Sequence, residues 1–213
     1  LQNVLRLCEK ENEKGEESSA SIPTNTKQKS YPLGTTVLAR RQMRMIERAR
    51  ESSQKDYYIV MGQLNSKTNE PIDSWTFFQW LQKHNVPSCY VMWKQHKCYK
   101  EFCKHKHVIG LRGNGVDGYE FIKRCRNELI RAKAVIAENG AINWQTGVWL
   151  HDLQNCEYVF LQHGVIFSNF STVPWMTRHF NAINVASIRE RDSIVKNAPQ
   201  ENRVKLFIGG LPR

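Results

Sequence analysis

From Asp56 onward, short apolar runs alternate with longer stretches of mixed polarity. Tyr57 to Met61, Cys89 to Trp93, Val108 to Leu111, Ala134 to Ala137, Tyr158 to Leu161, Ala182 to Ala186 and Val204 to Ile208 are each four or five residues long. Runs this short, apolar nearly throughout instead of alternating, predict strands buried on both faces of a parallel sheet. Helical stretches separate them: one carrying Trp75, Phe77, Phe78, Trp80 and Leu81, one from Tyr119 to Arg131, and one near Arg189 to Val195. Strands alternating with helices predict an α/β fold, a Rossmann-like and mostly parallel sheet with helices on both faces.

The first part of the chain has a different pattern. Leu1, Val4, Leu5 and Cys8 fall at helical spacing, but the stripe runs into the charges of Glu9 to Glu17, and Gly15 to Gly34 is dominated by Ser, Thr, Asn, Lys and Pro. Such a segment buries too little apolar surface to offset its ordering entropy. Residues 1–34 therefore read as a short helix and polar linker, and 35–213 as the folded domain. Thr35 and Thr36 could cap a helix carrying Val37, Leu38, Met45, Ile46 and Ala49, with Arg40, Arg41, Arg44, Arg48 and Arg50 distributed around it. Those arginines form either the solvated face of a packed helix or a contact with an anionic membrane surface.

Composition adds the sign of the partner. The 213 residues carry a net charge of +11 at pH 7, which points to an anionic partner without choosing among nucleic acid, lipid, nucleotide and phosphate-bearing polymer. Between Lys94 and Lys133 eleven Lys/Arg face four Asp/Glu, so seven of the eleven excess charges lie between the second and fourth strands. Six cysteines without the density of a disulfide scaffold read as reduced thiols, hence a cytosolic protein. No apolar run approaches the roughly 20 residues of a membrane span. The chain starts at Leu1 without a signal-like segment and reads as a piece of a longer protein.

Two clusters invite chemistry and argue against it. His96, Cys98, Cys103, His105 and His107 offer soft and borderline metal ligands, but their spacing is not that of a zinc knuckle and the lysines among them repel a divalent cation. We therefore expect no metal and no cofactor. Gly113, Gly115 and Gly118 follow a strand without the G-x-G-x-x-G spacing of a dinucleotide site.

Three strand ends remain. The run Tyr158 to Leu161 breaks at Gln162-His163-Gly164; His163 would stand where ligands bind in open α/β sheets, and Gly164 permits a sharp turn or a close phosphate. Glu138 and Asn139 follow the Ala134 to Ala137 strand and could orient a hydroxyl at the same edge, or simply form an Asn-Gly turn. Gly209 and Gly210 end the last strand ahead of Pro212 and Arg213, where the glycines allow close backbone approach and Arg213 can pair a phosphate.

Gln162-His163-Gly164 after one strand, a strand-helix unit at Ala182 to Val195, and Ile208-Gly209-Gly210-Leu211-Pro212-Arg213 after the last strand together resemble the CDP-glycerol glycerophosphotransferase family. These are the teichoic-acid and capsule polymerases and primases of bacteria. The resemblance covers about Tyr57 to Arg213 and rests on His163-Gly164, Gly209/Gly210 and Pro212-Arg213. Gln162 stands where the family has tryptophan, Val165-Ile166 where it has threonine-proline, and Leu211 where it has tyrosine. The resemblance implies the N-terminal, acceptor-side half of a GT-B enzyme, with the donor domain after residue 213. It further implies His163 as general base, a CDP-glycerol or related CDP-alditol donor, and an anionic lipid-linked polymer acceptor. The location implied is cytoplasmic and peripheral, at the inner face of the plasma membrane, and these residues on their own would be inactive. A GT-B glycosyltransferase using a nucleotide sugar is the first alternative. A basic, non-enzymatic nucleic-acid-binding module is the second, although no specific nucleic-acid motif is present.

Overall fold

The computed structural model describes residues 37–62, 72–112, 118–138, 153, 155–161, 180–197 and 204–210. In chain order these hold α1 (Val37–Glu51), β1 (Tyr57–Met61), α2 (Ile72–Lys83), β2 (Ser88–Trp93), α3 (Tyr99–Phe102), β3 (Val108–Leu111), α4 (Gly118–Arg124), α5 (Arg126–Arg131), β4 (Ala132–Ala137), β5 (Glu157–Phe160), β6 (Ala182–Val185), α6 (Ile188–Asn197) and β7 (Lys205–Ile208). The expected strands are all present, each within two residues of its expected bounds. The segment 1–34 and the glycines at 113 and 115 lie outside the described residues.

The seven described strands form one sheet, order β3-β2-β1-β4-β5-β6-β7, and every pair is parallel. The chain steps outward from β1 to β3, returns to β4 beside β1, and steps outward the other way to β7. This is the Rossmann-like order, and the reversal creates a switch point between β1 and β4. Right-handed crossovers in opposite directions send their helices to opposite faces. Accordingly, Phe77, Phe78 and Leu81 of α2 pack with Tyr58, Val60, Tyr90, Met92 and Ile136 on one face. Residues from α1, α4, α5 and α6 pack with Ile59, Met61, Val91, Val135 and Val185 on the other. With both faces covered, the strands are buried almost end to end, which is why their sequences do not alternate.

Local chemistry sets the helix ends. Asn85, with φ 55°, closes α2: the Val86 amide donates to Leu81 O and the Asn85 amide to Gln82 O, satisfying the last-turn carbonyls. Ser187 Oγ accepts from the Glu190 amide, and Glu190 reaches back to the Ala186 amide at 2.6 Å, a reciprocal cap that starts α6. The expected helix from Tyr119 to Arg131 is two helices, because Cys125 leaves helical geometry at φ −102° and ψ 21°.

Among the described side chains of α1, those at 41–51, the buried positions are Met43, Ile46 and Arg50, a spacing of three and four, while Met45 is 38% exposed. The sequence reading placed Met45 on the apolar stripe, and the helical phase turns it outward. Arg50 is likewise no surface charge. Its guanidinium donates to Leu129 O, to Ala132 O at 3.0 Å and to Asn155 O at 2.9 Å, capping α5 and holding the chain ahead of β5. Burial lowers its pKa from the ordinary value.

Candidate functional site

An all-parallel sheet delivers the ends of all its strands to one edge. Here the residues that follow the strands stand in the order Arg112, Lys94, Gly62, Glu138, Leu161, Ala186, Gly209 across the C-terminal edge. The sequence-derived site residues Glu138, Gly209 and Gly210 are therefore on that edge. His163, Gly164, Asn139 and Arg213 lie outside the described residues.

At the switch point, Glu138 occupies the site usually left for a ligand anion. It is 2% exposed, and its Oε2 accepts from the Ser74 hydroxyl and, at 3.4 Å, from the Ser74 amide in the first turn of α2. Ser74 Oγ also lies 2.9 Å from the buried Tyr90 hydroxyl, whose pKa is pushed up by burial. A helix N-terminus beside β1 is where the phosphate of a dinucleotide sits in this fold. The protein fills it with its own carboxylate. Glu138 thus joins β4, α2 and β2, and its Oε2 is committed to Ser74.

On the other side of the switch point a single amide links two strand ends. Asn184, on β6 and 2% exposed, donates through Nδ2 to Leu161 O at 3.1 Å and to Gly210 O at 2.8 Å. Its Oδ1 faces Gly209, where an added Cβ would stand 2.3 Å away, so any larger residue there would have to push the Asn184 amide aside. Gly210 has φ +71°, a left-handed conformation that turns its carbonyl toward Asn184 at little steric cost. Strands β5 and β7 are each one strand from β6, so their ends stand about 10 Å apart. The ends of β5 and β7, at Leu161 and Gly209, therefore lie two strands apart on one edge.

The sequence reading passed over Asn184, although a polar residue inside Ala182-Ile183-Asn184-Val185 is a visible signal. A buried strand position gives an amide no reason to be there unless it has partners. The Ser187-x-x-Glu190 cap was equally legible and equally passed over.

The basic field lies along the crossover from β2 to β3. Lys97, Lys100, Lys104 and Lys106 are exposed along the crossover from β2 to β3, with His105 and His107, and Glu101 is the acid among them. The nearby aromatic rings are engaged: Trp75 stacks on Phe102 at 3.8 Å and meets His105 edge-on, leaving them poorly placed to stack on bases. Lys94 and Arg112 stand three and four strands from β5, about 14 and 19 Å. That exceeds the roughly 8 Å screening length at physiological salt, so an anion held at β5 would neither touch them nor feel much of their charge.

Among the described residues no three His, Cys, Asp or Glu converge to hold a metal ion, and none of the described helices is long and apolar enough to cross a membrane. Cys89 and Cys125 are buried thiols with pKa values pushed well up by burial, and Cys103 is exposed.

No family model, curated protein or solved structure matches the chain.

Proposed function

We propose that this domain is the acceptor-side half of a transferase that moves glycerol phosphate, or another alditol phosphate, from a CDP-activated donor to a hydroxyl of a cell-wall or capsular polymer. The supporting observation is that the segments carrying the two matching motifs leave one sheet edge two strands apart, from Leu161 and Gly210. In this reading His163 takes the proton of the acceptor hydroxyl as its oxygen attacks the β-phosphorus. The new bond joins acceptor oxygen to phosphorus, the bond to the bridging oxygen breaks, and CMP leaves. A neutral imidazole with a pKa near 6.5 suits that transfer, and a positioned base contributes about 10²- to 10⁴-fold. Arg213 and the backbone at Gly209 and Gly210 would balance phosphate charge.

The reading assigns the donor nucleotide to a second domain after residue 213. It also sets the protein on the inner face of the plasma membrane. Arg41, Arg44 and Arg48 support that contact, because they line the exposed side of α1 while Met43 and Ile46 bury the other.

The test follows CMP release from CDP-glycerol by the full-length protein with a lipid-linked acceptor. Acceptor-dependent release that falls about 10²-fold or more in His163→Ala supports the reading. Release from nucleotide sugars in place of CDP-glycerol would make it a glycosyltransferase. Silence with every donor, together with salt-sensitive RNA binding that survives His163→Ala, would make it a nucleic-acid module.

A further inference from the structure

Asn184 is a buried amide in a strand whose neighbours Ala182, Ile183 and Val185 are apolar and buried. Packing alone does not ask for it: an apolar side chain of the same volume would fill the position, at the cost of leaving the Leu161 and Gly210 carbonyls without this donor. Among the described residues its Oδ1 has no hydrogen-bond partner, so the position even carries an uncompensated acceptor. What the amide does supply is two donors on one nitrogen, aimed at two carbonyls on different strands. Because β6 lies between β5 and β7, the two strands cannot pair with each other. A side chain from β6 can span them, and Asn184 does.

Two glycines are fitted to this bridge. Gly209 leaves room for Oδ1, and Gly210 takes the left-handed φ that presents its carbonyl. A residue with two tailored neighbours and no packing rationale is a coupling element. We propose that Asn184 is a positioning residue that ties the end of β5 to the end of β7, so that the two strand ends hold one relative geometry. For its consequence in catalysis the inference rests on the transferase reading; the coupling itself does not.

The coupling is read by amide hydrogen exchange on the full-length protein. The Leu161 amide donates to Ala137 O at 2.8 Å and the Gly209 amide to Val185 O at 3.2 Å, so both report the strand ends directly. In Asn184→Leu, apolar and of similar volume, both amides are expected to lose protection by about tenfold, the scale of one lost side-chain hydrogen bond. The amides of β1 and β2 should not change. Should Asn184→Leu fail to fold, Asn184→Asp keeps the shape, removes both donors and is read in the same way. Gly209→Ala should mimic the loss by displacing the amide, and adding Asn184→Ala should relieve that clash, so the double variant is less destabilised than the sum of the singles.

Unchanged protection, or loss at one strand end and not the other, overturns the coupling. In the CMP-release assay, Asn184→Leu is expected to lower kcat by about tenfold or more at unchanged KM for the donor, the signature of misplaced groups and not of lost binding. Loosened strand ends with wild-type kcat would overturn the positioning role. A wild-type protein that transfers nothing would instead remove the transferase reading and leave the exchange result to decide the coupling.

Discussion

The guanidinium of Arg50 donates to the carbonyl of Asn155 across 105 residues of sequence, at 2.9 Å. With its bonds to Leu129 O and Ala132 O, it replaces the missing partners of the last turn of α5 and ties that turn to the start of β5. A planar fork with several donors can serve carbonyls on two segments; an ammonium on a flexible stem cannot hold the same geometry.

Arg50→Ala is therefore expected to lower the unfolding free energy by about 3 kcal/mol, since it strands several buried carbonyls. Arg50→Lys should recover less than half of that. Urea unfolding checks both, with the exposed Arg48→Ala as a comparison expected to change by less than about 0.5 kcal/mol.

The Glu138 network yields a second stability test. Ser74→Ala removes the hydroxyl that donates to Glu138 and accepts from Tyr90, leaving buried polar atoms behind, and should cost about 1–3 kcal/mol. Tyr90→Phe removes one bond and leaves Ser74 on Glu138, so its cost in the same denaturant titration should be the smaller. Equal costs would mean that the hydroxyl of Tyr90, not the carboxylate, anchors α2.

Alkaline pH should unfold this protein. Burial raises the pKa values of Cys89 and Cys125 above the ordinary 9.0 and those of Tyr90 and Tyr158 above the ordinary 10.0. Between those ordinary values and the raised ones the unfolded chain loses protons that the folded chain keeps, so stability falls as pH rises. It is full below about pH 9, and each group then adds a slope of up to about 1.4 kcal/mol per pH unit. Thermal midpoints from pH 8 to 11 read this directly; Cys89→Ser/Cys125→Ser should soften the onset near pH 9 and leave the tyrosine-dependent fall above pH 10.

The lysines of the β2–β3 crossover should bind polyanions through charge alone. Lys97→Glu/Lys100→Glu/Lys104→Glu is expected to elute from immobilised inorganic polyphosphate at clearly lower salt than wild type. Arg189→Glu/Lys196→Glu, exposed on α6, tests whether overall charge accounts for the loss. Equal shifts per charge changed would show a diffuse field and no preferred surface.

The strands, the α/β class and a mostly parallel sheet were legible because burial on both faces writes itself into short apolar runs, a local signal. The capping pair Ser187 and Glu190 was legible for the same reason, its partners being three residues apart. The sheet edge that carries Glu138, Leu161 and Gly209 also followed from sequence, since parallel strands share one end. What the tertiary structure decided is which polar side chains face inward. Arg50 looked like one more surface arginine, because its acceptors lie about 80 and 105 residues away. Glu138 was legible as a strand-end carboxylate, but its bond to Ser74, 64 residues upstream, comes only from the fold that brings α2 against β4. Asn184 bridges carbonyls 23 and 26 residues away in opposite directions along the chain. Hydrophobic periodicity is written residue by residue, whereas a buried hydrogen bond needs two partners that only the folded chain brings together.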